Sequence, residues 1–396
     1  MLEFYSASAR IVNTKRAVIE CLEIALGENE VYNDIDLLIF HASIGHNFEQ
    51  IRSTAKSLAP NAKVYGASCC GVVGREGVSE SMKDIAVMAI KGKEFVVSST
   101  KTITGAIAYD QTLKMAKDLK AQDPNINMIY TLATGIDIAN NETIRAIEDV
   151  FGSNITIFGA TSSDNMRGAV NYQILDDEVA ESGAFLIGFS DQTLKIETQA
   201  THGFEAIGEP LTVTKSTGNI IHEFNGKPAW KEFTNILGIN YDNDLCVDSI
   251  PIGALAERLS DEATEIYGNR HILRAVTKHS GDDIYYANTI KEGTELFFTT
   301  RNEDLIFSEM DKMTEELEER IKGNVVAVFH ADCLARGKLL FGKVIKDELV
   351  SKMQTPFSKN GECPPWLGMY GFGEFAKLGA KNEFHNYTTA LYVLYR

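Results

Sequence analysis

A carboxylate, a guanidinium and a thiol stand beside small, glycine-rich turns in the last third of this 396-residue chain. Glu374 ends the run Gly-Met-Tyr-Gly-Phe-Gly-Glu at residues 368–374, and Cys333 and Arg336 lie in Ala-Asp-Cys-Leu-Ala-Arg-Gly at residues 331–337. Arg336 can grip a carboxylate with its planar fork, and Glu374 can accept from an amine. The same two side chains can also pair with each other at a turn. Two earlier stretches repeat the design of an apolar and an aromatic residue entering glycine and then small polar groups. Val-Tyr-Gly-Ala-Ser-Cys-Cys-Gly at 64–71 offers Ser68 and Cys69, and Ile-Phe-Gly-Ala-Thr-Ser-Ser-Asp at 157–164 offers Thr161, Ser162 and Asp164. Small hydroxyls, thiols, one guanidinium and a carboxylate suit a small polar or zwitterionic molecule.

Other chemistries have weaker support. Cys333 with Asp332 and His385 holds the residue types of a nucleophile and its base, the basis for a hydrolase or transferase. Nothing in the spacing brings His385 to Cys333, and a buried reduced cysteine packs as a small apolar group. The chain is therefore not read as an enzyme. Of the eight histidines, His41, His46, His330 and His385 are candidate haem ligands, yet no His-Glu-x-x-His or Cys-x-x-Cys-His motif occurs. A phosphate-binding Gly-x-x-x-x-Gly-Lys-Ser/Thr loop is absent, and Gly371-Phe372-Gly373 lacks the third glycine of a dinucleotide fingerprint.

The elements that must position these turns recur. Thr14 can cap a helix with Val18 and Leu22 inward and Gly27 at its end; Leu38, Ile39 and Phe40 belong to a short buried strand followed by a turn at 41–45. Phe48, Ile51, Ala55 and Leu58 mark a crossover helix stopped by Pro60, and strands at 63–65 and 85–90 follow. The same order returns from Asp110 to Phe189, and again from Ile306 to Tyr395, where Leu340, Leu349 and Met353 mark the crossover helix. Phe40-His41-Ala42-Ser43 and Phe329-His330-Ala331-Asp332 match at equivalent places. Residues 203–300 differ: strand-like alternation at 212–224, a helix opened by Pro228, and a meander turning at Ser280-Gly281 and Glu292-Gly293. The expected fold is mixed α/β in two domains, 1–205 and 206–396. Repeated αβαββ units with largely parallel strand-helix-strand crossovers build both, and a β-meander region lies in the C-terminal half. Ligands collect beyond the carboxyl ends of parallel strands in such sheets, where these turns fall.

Composition bounds the function. Net charge is −17, from 38 Lys+Arg against 55 Asp+Glu, which repels nucleic acid and anionic membrane. No apolar run approaches a membrane span, and residues 1–10 lack a signal-peptide pattern, so a cytoplasmic protein is expected. Six cysteines, Cys246 among them, without Cys-x-x-Cys read as reduced thiols.

Taken together, Phe329, Cys333 and Arg336-Gly337, the 368–374 run, and His385-Asn386-Tyr387-Thr388 resemble the signature of the FIST C-terminal domain. The stretch from Gly218 to Ala229 resembles the motif that joins that family's domains, and Tyr65-Gly66-Ala67-Ser68 and Phe158-Gly159-Ala160-Thr161 are similar to its N-terminal domain. The resemblance spans essentially the whole chain. It implies a cytoplasmic sensory module for a small ligand, with amino acids proposed in the family. Its site would use Cys333, Arg336, Tyr370, Glu374 and Asn386, with Ser68, Cys69, Thr161, Ser162 and Asp164 as an N-terminal counterpart. Some members are haem-binding nitric oxide sensors, the alternative this resemblance carries. Asn225 and Asp332 depart from the family pattern, where an acidic and a small residue are common. No output module is expected after Arg396, so the signal would pass to a histidine kinase, a cyclic-di-GMP enzyme or a chemoreceptor pathway component.

Overall fold

The computed structural model describes residues 1–27, 32–242, 254–337 and 343–396; Cys246 and Leu340 lie outside the described residues. Alternation along the buried strands dictates the layering. In Leu37–Ser43, Leu37 and Ile39 face one apolar cluster while Leu38 and Phe40 face another. Met128–Ala133 divides in the same way, with Tyr130 and Leu132 opposite Ile129 and Ala133, and so does Val325–Cys333, with Ala327 and Phe329 opposite Val328. A strand apolar on both faces needs cover on both. On the outer faces the cover is helical. Ala17, Val18 and Leu22 of Thr14–Leu26 and Ile51 and Ala55 of Phe48–Leu58 supply it for the first sheet.

Among the described residues the strands form three six-stranded sheets and one eight-stranded sheet. Each six-stranded sheet centres on a parallel pair: Leu37–Ser43 with Lys63–Cys69, Met128–Ala133 with Thr156–Thr161, and Val325–Cys333 with Trp366–Gly371. Helices Phe48–Leu58, Asn140–Phe151 and Lys343–Gln354 make the three crossovers. Beside each pair lie an antiparallel return strand (Asp84–Lys91, Ala184–Phe189, Thr389–Tyr395) and an outer strand (Glu3–Arg10, Phe95–Thr100, Lys195–Thr201).

The other edge of each sheet comes from a different repeat. The hairpin Val72–Gly74/Gly77–Ser79 of the first repeat completes the third sheet, and Gln173–Leu175/Val179–Ala180 of the second completes the first. Gly373–Leu378/Lys381–His385 of the third completes the second, closing a cycle. The inner faces of the three sheets share one core, where Tyr130 lies 5.3 Å from Phe158 and 5.1 Å from Phe329, and Phe158 lies 5.5 Å from Tyr392, ring centre to ring centre. Burying each such ring contributes roughly 1.5–3 kcal/mol.

The recurring glycine has a steric cause. A Cβ on Gly159, at φ +132°, would sit 2.0 Å from the Thr131 carbonyl oxygen, and one on Gly66 would sit 2.5 Å from that of Phe40. Some local expectations shift. Asn13, not Thr14, caps the first helix, accepting from Arg16 N–H at 2.9 Å. Helix Ala108–Gln122 starts ahead of Asp110. The segments 41–45 and 331–337 are strand as far as Ser43 and Cys333, because the parallel partners extend equally far. The eight-stranded sheet is inserted between Lys195–Thr201 and helix Glu303–Arg320, inside the third repeat.

The three glycine-rich strand ends meet at one point. Ser163 Oγ donates to the Tyr370 carbonyl at 2.7 Å and accepts from Cys70 N–H at 2.9 Å, while Tyr370 N–H donates to the Gly71 carbonyl at 2.9 Å. Ser163 N–H donates to the Ser68 carbonyl at 3.0 Å, and Ser68 Oγ donates to that of Ser163 at 2.8 Å. Ser163 is fully buried. Cys70 N–H also donates to the Tyr370 carbonyl at 3.0 Å, so Ser163→Ala leaves each group one partner and is expected to cost about 0.5–1.5 kcal/mol in chemical denaturation. A loss below about 0.5 kcal/mol would show that the junction is not under that constraint.

Candidate functional site

Beyond the carboxyl ends of Met128–Ala133 and Thr156–Thr161 lies a cavity of about 280 Å³. Its walls come from three parts of the chain: Gly135–Asn140, Thr161 and the loop 166–169; residues 275–278 and Ala287 of the inserted sheet; and Cys333, Leu334, Ala335, Phe372, Phe384, Asn386 and Tyr387 of the third repeat.

Each wall is held by identifiable bonds. Asp164 gathers the loop: its Oδ1 accepts from the amides of Arg167 and Gly168 at 2.8 and 3.1 Å, and its Oδ2 from those of Ala169 and Val170 at 2.8 and 3.3 Å. The amide nest is thus filled by the chain's own carboxylate. Asn386 ties the insert to the third repeat, accepting from Ala275 N–H at 3.0 Å and donating to the Phe372 carbonyl at 2.8 Å. Buried Arg274, braced within the insert by Glu257 at 3.2 Å, reinforces that contact through Glu383 at 3.0 Å and the Phe384 carbonyl. On the opposite wall Asn141 bonds Thr289 of the insert.

One wall residue is left without a partner. Asn140 opens helix Asn140–Phe151, is 3% exposed, and its Oδ1 has no hydrogen bond among the described residues. Ala139 before it supplies no side-chain cap. A buried acceptor left unpaired costs about 1–3 kcal/mol. In a 420 Å³ cleft beside Lys195–Thr201, Arg320 reaches Glu197 at 3.0 Å and Gln199 at 2.6 Å, Gln199 reaches Glu316 at 2.6 Å, and Thr198 Oγ1 is likewise without a partner among the described residues.

The residues expected from sequence fall into two sets. Thr161, Cys333 and Asn386 line the cavity. Arg336, Tyr370 and Glu374 lie beneath it, each under 3% exposed. Arg336 pairs with Asp332 at 3.0 Å rather than with Glu374, and donates to the His202 carbonyl at 2.9 Å. Ser162 donates to the Ala133 carbonyl at 3.1 Å and accepts from Gln173 at 2.7 Å. Ser68 belongs to the strand-end junction, Cys69 is core, and Asp164 organises the loop. Asn140, Met166, Ala275 and Phe372 were not expected. The Thr134-Gly135 turn and the Gly-Phe-Gly run mark two of their neighbourhoods, whereas the insert's approach leaves no local signal.

Neither alternative chemistry finds its geometry here. Burial, and then the carboxyl of Glu374, push the Cys333 thiol well up, while burial, with Arg274 adding to it, pushes His385 down to about 3. Among the described residues no hydrogen bond joins Cys333 to His385, which meets Tyr267 OH at 3.5 Å. For haem, His41 has both ring nitrogens engaged, at 3.2 Å to the Gly368 carbonyl and 3.0 Å to Tyr130 OH. His46 bonds Thr14 at 3.1 Å and His330 bonds Thr389 at 2.9 Å. None of His41, His46, His330 and His385 lines the cavity, so these residues do not fit haem there.

Glu374 sets a pH dependence. It is fully buried, takes the Thr388 hydroxyl at 2.6 Å on Oε2, and has no partner for Oε1. Burial, aided by Asp332 and opposed by the Thr388 bond and Arg336, raises it well above the ordinary value of 4.5. The folded chain therefore holds a proton that the unfolded chain releases. Stability falls as pH climbs from the ordinary value toward the raised one, by at most about 1.4 kcal/mol per pH unit. Gln173 pairs with Ala67 in the first sheet as Glu374 pairs with Ala160 in the second. Glu374→Gln is accordingly expected to gain stability relative to the parent as pH rises above the ordinary carboxyl value of 4.5 in thermal melts. A pH-independent difference would contradict the buried neutral acid.

Comparison with known proteins agrees with the layout. The FIST N domain matches residues 36–227 and the FIST C domain matches residues 232–377. The uncharacterized protein MJ1623 of Methanocaldococcus jannaschii is 30% identical over 100 residues, which is 25% of this chain and 19% of that protein. A chorismatase crystal structure aligns over 100% of this chain and 99% of its own, at 8% identity and a TM-score of 0.35. PurL of T. maritima complexed with AMPPCP aligns over 100% and 72%, at 10% identity and a TM-score of 0.21. Likeness at that level carries no argument about this chain. The two domain matches do: the chain belongs to the FIST family, whose domains serve sensory signal transduction.

Proposed function

We propose that the chain senses a small molecule held in the 280 Å³ cavity and passes its occupancy to a separate signalling protein. The observation that carries this reading is a cavity walled by the second repeat, the insert and the third repeat, segments distant in sequence, with Thr161, Cys333 and Asn386 on its lining. A ligand there touches both expected halves of the chain, 1–205 and 206–396, and joins the insert to the second sheet. Stronger binding to the closed arrangement than to an open one then shifts their populations. The family resemblance points to a histidine kinase, a cyclic-di-GMP enzyme or a chemoreceptor pathway component as the partner, in the cytoplasm. Among the described residues no helix is long and apolar enough to cross a membrane.

A thermal-shift screen of a broad metabolite set tests the reading. At least one compound is expected to raise the Tm by several degrees at saturating concentration. Ala169→Trp, which fills the mouth from an exposed position, should abolish that response without changing the ligand-free Tm. A response that survives Ala169→Trp would move the site, and a screen without any response would sink the sensor reading.

A further inference from the structure

The charges of the cavity are confined to its rim, and that confinement restricts the ligand; the restriction rests on the small-ligand reading of the same site. Asp137, Arg167 and Lys278 are the charged residues of the lining, and all three are exposed. The inner wall lies where two apolar clusters of the core meet. Ile138, Ala287 and Phe384 come from one cluster, Leu334 and Ala335 from the other, and Phe372 packs against the second. The polar side chains of that wall are neutral. The Asn386 amide accepts from Ala275 N–H and donates to the Phe372 carbonyl, and the Thr161 hydroxyl donates to the Gly373 carbonyl at 3.5 Å. Asn140 Oδ1 is closed to the cavity, and the Cys333 thiol, pushed well up by burial, keeps its proton. A charge brought to this wall would lose its water and meet no counter-charge.

The lining is also held in strained backbone. Of the six non-glycine residues with positive φ among the described residues, Asp137, Met166 and Tyr387 line the cavity, at +53°, +75° and +57°. Such strain persists only where the surrounding structure fixes it, and it collects at ligand sites. Volume sets a size. An apolar cavity of about 150 Å³ takes benzene, so the 280 Å³ here has room for a fused bicyclic ring.

We propose that the ligand is an uncharged, largely apolar molecule about the size of a fused bicyclic aromatic, seated against Met166, Phe372 and Phe384 with no ionic group on the inner wall. Its binding follows apolar contact rather than the rim charges, which stand in water and are screened. A free amino acid, zwitterionic at neutral pH, fits this wall poorly for the same reason.

Isothermal titration of the full chain with one ring system in four charge states tests the proposal. Indole and indole-3-ethanol are uncharged, tryptamine is a cation, indole-3-acetate an anion and tryptophan a zwitterion. Indole is expected to bind, and indole-3-ethanol within about threefold of it, which controls for the added atoms. Each of the three charged compounds should bind about tenfold more weakly or worse than indole-3-ethanol. Met166→Ala should weaken indole several-fold through lost apolar contact, and Ala169→Trp should abolish its binding. If Met166→Ala does not fold, the compound series and the exposed Ala169→Trp decide alone. Any charged compound that matches indole-3-ethanol would overturn the proposal, as would no binding by either uncharged compound, unchanged indole binding in a folded Met166→Ala, or indole binding that survives Ala169→Trp. The sensor reading has its own separate failure: it survives if some other compound raises the Tm of the parent but not of Ala169→Trp, and falls with this proposal if none does.

Discussion

The hydroxyl of Ser163 sits where three repeats run out of strand, and the rest of the architecture depends on that junction. It donates to Tyr370 of the third repeat and accepts from Cys70 of the first. Strand ends buried this deeply cannot take water as a partner, so their amides and carbonyls must satisfy each other. The cyclic exchange of hairpins follows from the same requirement. Each sheet leaves the second strand of its parallel pair with an open edge, and a neighbour's hairpin closes it. None of the three six-stranded sheets is complete without residues from another repeat, which makes the three repeats one cooperative unit.

The strand ends give the cavity its floor, and the insert gives its roof. Thr161 and Gly135 belong to the floor, within one residue or two of paired strand. The roof is the insert, joined to the core by apolar packing of Phe204, Ala256 and Leu273, by Asn386, by Arg274 through Glu383 and the Phe384 carbonyl, and by the Asn141–Thr289 contact. A molecule between floor and roof adds contacts across a boundary that the chain crosses at only two covalent points, near Gly203 and near Asn302. Sensory output needs such an element, whose position a ligand can bias without disturbing the core.

Much of this was legible in the sequence, for local reasons. Buried strands such as Ala184–Phe189 and amphipathic helices such as Glu303–Arg320 declare themselves by period, and the Tyr65-Gly66-Ala67 and Phe158-Gly159-Ala160 echoes mark positions where a neighbouring carbonyl leaves no room for Cβ. The half-exposed outer strands, Glu3–Arg10 and Phe95–Thr100, carry too mixed a pattern to stand out. The hairpin exchange is a pairing between residues more than a hundred positions apart, and no local window holds it. The candidate site divides on the same line. Strand ends identified the right neighbourhood, bringing Thr161, Cys333 and Asn386 to the cavity. Which side of a strand end opens is decided by packing, so Glu374 and Arg336 lie beneath the cavity, while Asn140 reaches it.

The central claim is that one ligand contacts floor, loop and insert together, and amide hydrogen exchange tests it most directly. With a saturating compound that raises the Tm, slowed exchange is expected together in the segments 135–140, 166–169 and 275–278, which come from distant parts of the chain. Protection confined to one of these segments, or found only elsewhere, would contradict a shared site.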